Sequence, residues 1–121
     1  MYVKTFAGAV FGINATIITV EADVSTGINF IFSRYIEALG NNGDILLAIS
    51  TSGNSQNIIK AVEVAKEKGI LVITLSGNTG GSLKSLSDIC ITVPHSEFSD
   101  RIQEVHIKII HSLIHFIESN L

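Results

Sequence analysis

Three short apolar runs constrain the fold of this chain more than any other feature. They span Asp44–Ser50, Leu71–Leu75 and Asp88–Val93, and each is followed by a polar loop and a segment with helical periodicity. Uninterrupted apolar runs of this length are typical of strands that are buried on both faces of a parallel sheet. The alternation therefore predicts an α/β fold with helices on both faces of the sheet.

The helical segments and the start of the chain complete this prediction. A run at Ala15–Val20 predicts an edge strand or a first strand, and the 121 residues fit one domain. The connections between parallel strands should be right-handed, which gives three layers in the order α/β/α. Apolar residues recur at helical spacing in four segments: Asn29–Leu39, Ser55–Lys68, Ser82–Leu86 and Ser99–Glu118.

Composition excludes several classes of function. The net charge is -3 and the basic residues are scattered, which argues against nucleic-acid binding. No run reaches the roughly 20 apolar residues of a membrane-spanning helix, and the N-terminal residues lack the pattern of a signal peptide. The single cysteine, Cys90, lies in an apolar run and is compatible with a reducing compartment. We therefore expect a cytoplasmic protein that contacts neither a membrane nor a nucleic acid.

The loop Ser50–Ser55 follows the first buried strand and carries four hydroxyl side chains. Ligands of open parallel sheets bind at the carboxyl ends of the strands, and the start of the next helix favours an anion. Gly53 allows a ligand to approach the backbone closely. This pattern predicts a phosphate site, while a polar turn with Ser55 as a helix N-cap stays an equal alternative. The loop matches neither GxxxxGK[ST] nor GxGxxG, so nucleotide binding is not indicated.

A second glycine-rich loop, Ser76–Gly81, follows the next strand. It should lie at the same edge of the sheet, but its composition favours a flexible turn over a ligand-binding loop.

The last helix carries several polar residues that could perform chemistry. Gln103 and His111 are eight residues apart, about 12 Å along a helix axis, so one metal ion would reach both only between extended side chains. The spacing of His111 and His115 suits zinc better. A histidine that is simply hydrogen-bonded within the helix is the alternative for each of them, and for His95 beside the end of the third strand.

The sequence resembles the bacterial phosphoheptose isomerases, which belong to the sugar isomerase (SIS) domain family. The resemblance rests on GDILLAISTSGNSQNIIKAVEVAKEKGILVITLSG and on VPHSEFSDRIQEVHIKIIHSLIHFIE. STSGNS marks the wider SIS family, and DRIQEVHIKIIH marks the heptose branch. The match begins near Phe32 and continues to the C-terminus, so that residues 1–26 of this single SIS domain match poorly.

The resemblance implies a flavodoxin-like parallel sheet, a homotetramer with active sites between subunits, and one zinc ion per site. It implies conversion of sedoheptulose 7-phosphate to D-glycero-D-manno-heptose 7-phosphate, toward lipopolysaccharide heptose. His111 would be the acid/base and, with Gln103, a zinc ligand, while Asp100 would orient the sugar. The phosphate would be held by Ser50, Thr51, Ser52 and Ser55.

The chain also departs from the family pattern. The family's GNGGSA loop and its H-F-x-x-E-like motif, which supply another histidine and a glutamate, are absent before Phe32, and Ser25 stands where the family has an aspartate. The pattern is therefore that of a family member truncated at its N-terminus. The first interpretation is an isomerase, the second is a non-catalytic SIS module that binds a phosphosugar or a protein as a regulator, and a flavin-binding domain is a distant third.

Overall fold

The computed structural model describes residues 2–11, 14–23, 30–94 and 96–121, the first two ranges by their backbone only. Ser25 and His95 lie outside the described residues. Within these ranges the chain forms a five-stranded sheet and four α-helices. The strands lie side by side in the order β2 (Asn14–Asp23), β1 (Tyr2–Phe11), β3 (Ile45–Ser50), β4 (Leu71–Gly77) and β5 (Ile89–Val93).

The parallel part of the sheet is the part that the apolar runs predict. Strands β3 (Ile45–Ser50), β4 (Leu71–Gly77) and β5 (Ile89–Val93) are parallel neighbours. The register pairs Ile45 with Leu71 at one end of β3 and Ser50 with Ser76 at the other. The predicted α/β fold class is confirmed, and β4 extends two residues further than the apolar run.

The N-terminal strands differ from the predicted parallel arrangement. Strand β1 (Tyr2–Phe11) pairs antiparallel with both β2 (Asn14–Asp23) and β3, and β2 lies at the edge of the sheet. The sheet is therefore mixed, although its strand order agrees with the flavodoxin-like order. Only two residues separate β1 from β2, and parallel strands require a crossover of about a dozen residues or more. The predicted strand at Ala15–Val20 is confirmed as part of β2, whereas β1 was not predicted.

Three helices form the main hydrophobic core with one face of the sheet. They are α1 (Ile31–Leu39), α2 (Gln56–Glu67) and the short α3 (Leu83–Leu86). Residues that alternate along β3 and β4 point to these helices, as period-two strands require. The buried members of this cluster are Phe32, Ala48, Ile58, Ala61, Val62, Ala65, Ile70, Val72 and Leu83.

Helix α4 (Ser99–Ser119) packs against β4 and β5 on the opposite face. The contact requires a glycine at position 77, because a Cβ there would lie 2.6 Å from Ile102 Cδ1 and 2.6 Å from the carbonyl oxygen of Thr51. Only Ile102 and His106 of this helix are buried. The predicted apolar seam is therefore covered only at its start, and Phe116 is 67% exposed. None of the helices among the described residues has the length and hydropathy needed to span a membrane.

The core predicts a large difference between two valines of α2. Val62 is fully buried in the main cluster, whereas Val64 is only partly buried. Val62→Ala should lower the free energy of unfolding by about 2 kcal/mol, through two lost methyl groups and the cavity that they leave. Val64→Ala changes helix propensity equally and should lose much less. Equal losses for the two variants in urea denaturation would contradict this assignment of the core.

Candidate functional site

The candidate site begins where β3 and β4 end side by side. Ser50 and Ser76 are paired in register at the carboxyl ends of the two strands, and both side chains are buried. The loop Ser50–Ser55 and the second glycine-rich loop, which the structure places at Gly77–Ser82, therefore begin at the same position along the strand axes. This juxtaposition follows from parallel pairing and brings two polar loops together at the edge where such sheets bind ligands.

Two hydrogen bonds of Gly53 and a serine pair fix the shape of the first loop. The backbone N–H of Gly53 donates to Ser50 O at 3.1 Å and lies 3.2 Å from Ser50 Oγ, to which it also donates. Ser50 Oγ lies 3.1 Å from Ser55 Oγ. Ser55 occupies the N-cap position of α2, but its hydroxyl makes no capping hydrogen bond. The alternative in which Ser55 merely caps the helix is therefore not what the structure contains.

The hydrogen-bond network leaves hydroxyl hydrogens for a ligand. Ser50 Oγ and Ser55 Oγ share one hydrogen bond that either can donate, so one of their two hydroxyl hydrogens remains for another acceptor. Ser52 Oγ accepts from the N–H of Asn54 at 3.1 Å, and its hydrogen is likewise left to donate. The loop thus presents hydroxyl donors, which suits a ligand that carries only acceptor oxygens.

The start of α2 adds a favourable field for an anion. The N–H groups of a first helical turn have no partner within the helix, and the helix dipole places partial positive charge there. No acidic residue lies in the first turn of α2, and the N-cap residue Ser55 makes no side-chain capping bond. The N–H of Ile58, in the first turn, donates to Asn57 Oδ1 at 3.0 Å. Hydroxyl donors beside this helix start are an arrangement that a phosphate group can use.

The second loop is not the flexible turn that its composition predicts. It packs directly on the first loop, because Gly53 adopts a φ of +68° in which a Cβ would lie 2.0 Å from the carbonyl oxygen of Gly80. The N–H of Leu83 donates to Gly53 O at 3.0 Å. Glycine supplies both the positive φ and the close backbone approach, which a composition-based prediction does not register.

Helix α4 brings some of the predicted residues toward this edge but not all of them. Asp100 and Gln103 are exposed and flank Ile102, which packs at Gly77 beside the first loop. His111 is also exposed and lies nine residues beyond Ile102, about 13 Å along the helix axis. Asp100 and Gln103 therefore lie in the same helical turn as Ile102, while His111 is more than two turns away.

The described residues do not form a metal centre by themselves. They contain no group of three or more His, Cys, Asp or Glu side chains that could hold an ion. Gln103 and His111 are two potential ligands on one helix, whereas zinc sites in proteins have three or four protein ligands. The side chains present in this part of the chain therefore do not complete a zinc site.

A buried histidine of α4 is a feature that the sequence pattern did not predict. His106 is 2% exposed, and its Nε2 lies 3.0 Å from the carbonyl oxygen of Ser76. A carbonyl only accepts, so Nε2 carries the hydrogen. Among the described residues Nδ1 has no hydrogen-bond partner. Burial lowers the pKa of His106 below its ordinary value of 6.5, and the hydrogen bond to Ser76 offsets only part of this effect.

Comparisons with known proteins agree with this architecture. The sequence profile of the SIS domain matches residues 11–77. A phosphoheptose isomerase of Cytophaga hutchinsonii is 63% identical over 95 residues, which are 78% of this chain and 50% of that protein. One from Escherichia fergusonii is 59% identical over the same shares of the two chains. The chain thus spans about half the length of the curated relatives it matches.

Solved structures give the same result. A phosphoheptose isomerase from Neisseria gonorrhoeae superimposes with a TM-score of 0.72 at 42% identity, over 78% of this chain and 53% of that one. One from Francisella tularensis gives 0.72 at 44% identity, over 77% and 52%. The predicted resemblance to bacterial phosphoheptose isomerases is confirmed.

His106 predicts a specific dependence of stability on pH. Because the folded state lowers the pKa of this imidazole, the unfolded chain binds more protons as the pH falls below 6.5. The stability present above that pH should therefore decline as the pH falls through 6.5 toward the lowered pKa of the folded state. His106→Gln, which keeps a donor for Ser76 but does not titrate, should flatten this decline in urea denaturation, whereas exposed His115→Gln should preserve it. An unchanged slope in His106→Gln would show that another group is responsible.

Proposed function

We propose that this chain, which belongs to the SIS domain family, holds the phosphate of a sugar phosphate in the loop Ser50–Ser55. The observation that carries the proposal is the arrangement of hydroxyl groups at the start of α2, where the N-cap hydroxyl of Ser55 makes no capping bond. Phosphate oxygens accept hydrogen bonds and carry negative charge, so both the donors and the helix dipole favour them. Thr51, at the centre of this loop, belongs to the proposed grip with Ser50, Ser52 and Ser55.

The proposed reaction is the isomerisation of sedoheptulose 7-phosphate to D-glycero-D-manno-heptose 7-phosphate. It is supported by the identity to proteins named phosphoheptose isomerase and by the structural similarity to two of them. Such an isomerisation moves a proton between neighbouring carbons of the sugar, which requires a positioned acid/base. We assign that role to His111, and we assign to Asp100 the orientation of the sugar.

Completion of this site requires groups beyond those of one described chain. Zinc, one ion per site, would polarise the sugar carbonyl when bound, with Gln103 and His111 as two of its ligands. Because the described residues supply only these two, the remaining ligands would have to come from outside the described residues. Exposed apolar side chains on α4, among them Leu113 and Phe116, support self-association, and a tetramer in the cytoplasm that serves lipopolysaccharide heptose synthesis is part of this proposal.

A second function, phosphosugar binding without turnover, is favoured by a different observation. The described residues contain no group of three or more His, Cys, Asp or Glu side chains that could hold a metal ion. The loop site, by contrast, lies wholly within residues 50–55 and the start of α2. A regulatory module that binds a phosphosugar, or a protein partner, would need only that part.

The phosphate grip can be tested directly by removing two hydroxyl groups. Ser52→Ala combined with Ser55→Ala should weaken binding of inorganic phosphate at least tenfold, since one hydrogen bond to a charged group contributes about 1.5–3 kcal/mol. Calorimetric titration measures the affinity. Ser119→Ala removes an exposed serine at the end of α4 and should bind phosphate like the unmodified chain. Unchanged affinity in the double variant would show that the loop is not the phosphate site.

Turnover separates the two proposed functions. The purified chain with zinc should interconvert the two heptose phosphates and form an oligomer in light scattering, and His111→Ala should abolish turnover while phosphate still binds. Phosphosugar binding with no turnover in the unmodified chain, under conditions where a full-length relative is active, would contradict the isomerase and favour the binding module.

A further inference from the structure

We propose that Asn54 is a positioning residue that locks the loop Gly77–Ser82 onto the phosphate loop and thereby fixes Ser52 as a donor. This inference rests on the proposed function, because it concerns how the same phosphate site is held in shape. It assigns a binding-site role to a side chain and to a second loop that contribute no predicted ligand contact.

The side chain of Asn54 uses both of its polar atoms. Its Nδ2 donates to the carbonyl oxygen of Ser52 at 3.1 Å. Its Oδ1 accepts from the backbone N–H and from the hydroxyl of Ser82, each at 2.9 Å. The two residues are 28 positions apart in sequence, so this is a tertiary connection between loops.

Asn54 also acts on Ser52 through its backbone. The N–H of Asn54 donates to Ser52 Oγ at 3.1 Å, and this bond leaves the hydroxyl hydrogen of Ser52 for a ligand. The bond from Nδ2 to Ser52 O closes a tight turn around the same residue. The backbone of Asn54 thus binds the Ser52 hydroxyl, and its side chain fixes the peptide group of the same residue.

The network of Asn54 has no role in core packing. Its side chain is exposed, and the hydrogen bonds that it makes with Ser52 and Ser82 lie at the surface. The anchor on the other side is firm, because Leu83 follows Ser82, is fully buried and donates its N–H to Gly53 O. A surface side chain that joins a buried anchor to a ligand loop restricts the loop before the ligand arrives, which lowers the entropy lost on binding.

Three single substitutions and one combination test this role with inorganic phosphate as the probe. Asn54→Ala should weaken phosphate binding about tenfold, the value of about one hydrogen bond in a preorganised site. Ser82→Ala should weaken it less, because the backbone N–H of Ser82 remains, and Ser82→Thr should restore the affinity because it keeps the hydroxyl. The double variant Asn54→Ala with Ser82→Ala should bind no more weakly than Asn54→Ala alone.

Asn41→Ala is the matched control. Asn41 is also exposed and also donates from its Nδ2 to a nearby carbonyl, that of Leu39, but it lies before β3 at the opposite edge of the sheet. Both variants should melt close to the unmodified chain, since each loses only exposed side-chain hydrogen bonds, one in Asn41→Ala and three in Asn54→Ala. Only Asn54→Ala should lose affinity for phosphate.

The possible results are distinguishable. Weaker binding in Asn54→Ala, restored affinity in Ser82→Thr and a non-additive double variant would establish the positioning role. Phosphate affinity in Asn54→Ala equal to that in Asn41→Ala, or additive losses in the double variant, would overturn it while the phosphate site stands. Absence of phosphate binding in the unmodified chain would overturn the proposed function together with this inference.

Discussion

The register between β3 and β4 is the constraint on which the rest of the site depends. Pairing of Ser50 with Ser76 makes two polar loops begin at the same height of the sheet. Because Gly53 then meets the backbone of Gly80, the first loop is held against the second, and α2 begins where the first loop ends. A shift of one residue would exchange the faces of all side chains in β4 and separate these loops. Strand pairing therefore brings the two loops of the site together, whichever side chains they carry.

At the carboxyl end of the sheet, buried side chains are polar as well as exposed ones. Ser50, Ser76 and His106 are buried, and each is hydrogen-bonded to loop or strand backbone. Such bonds offset the cost of burying polar groups, and they fix the loops and α4 to the sheet in defined positions. Ser50 and Ser76 continue the strand face that carries the core residues Ala48 and Val72, so this polar layer closes the carboxyl end of the apolar core and gives the loops their conformation.

The two parts of the proposed function differ in how much of this chain they need. The phosphate grip uses neighbouring residues of one loop and one helix start. The proposed catalytic part uses Asp100, Gln103 and His111, which are spread along an exposed helix and need partners from outside the described residues. A local anion site needs only one continuous stretch of chain, whereas a reaction centre assembled from distant segments depends on every segment that contributes to it.

The sequence alone determined the α/β class, the three parallel strands, the four helices and the position of the hydroxyl-rich loop, because apolar periodicity and helix-start chemistry are local properties. It did not determine the antiparallel hairpin at the edge, the interlocked second loop or the burial of His106. Those features depend on which strands become neighbours and on how closely two backbones approach. A glycine or an asparagine occurs in the same sequence pattern whether its turn is flexible or packed against another loop. The sequence alone therefore predicted the position of the hydroxyl-rich loop. The contacts that hold Ser52 and Ser55 in place depend on the register between β3 and β4, which only the tertiary structure decides.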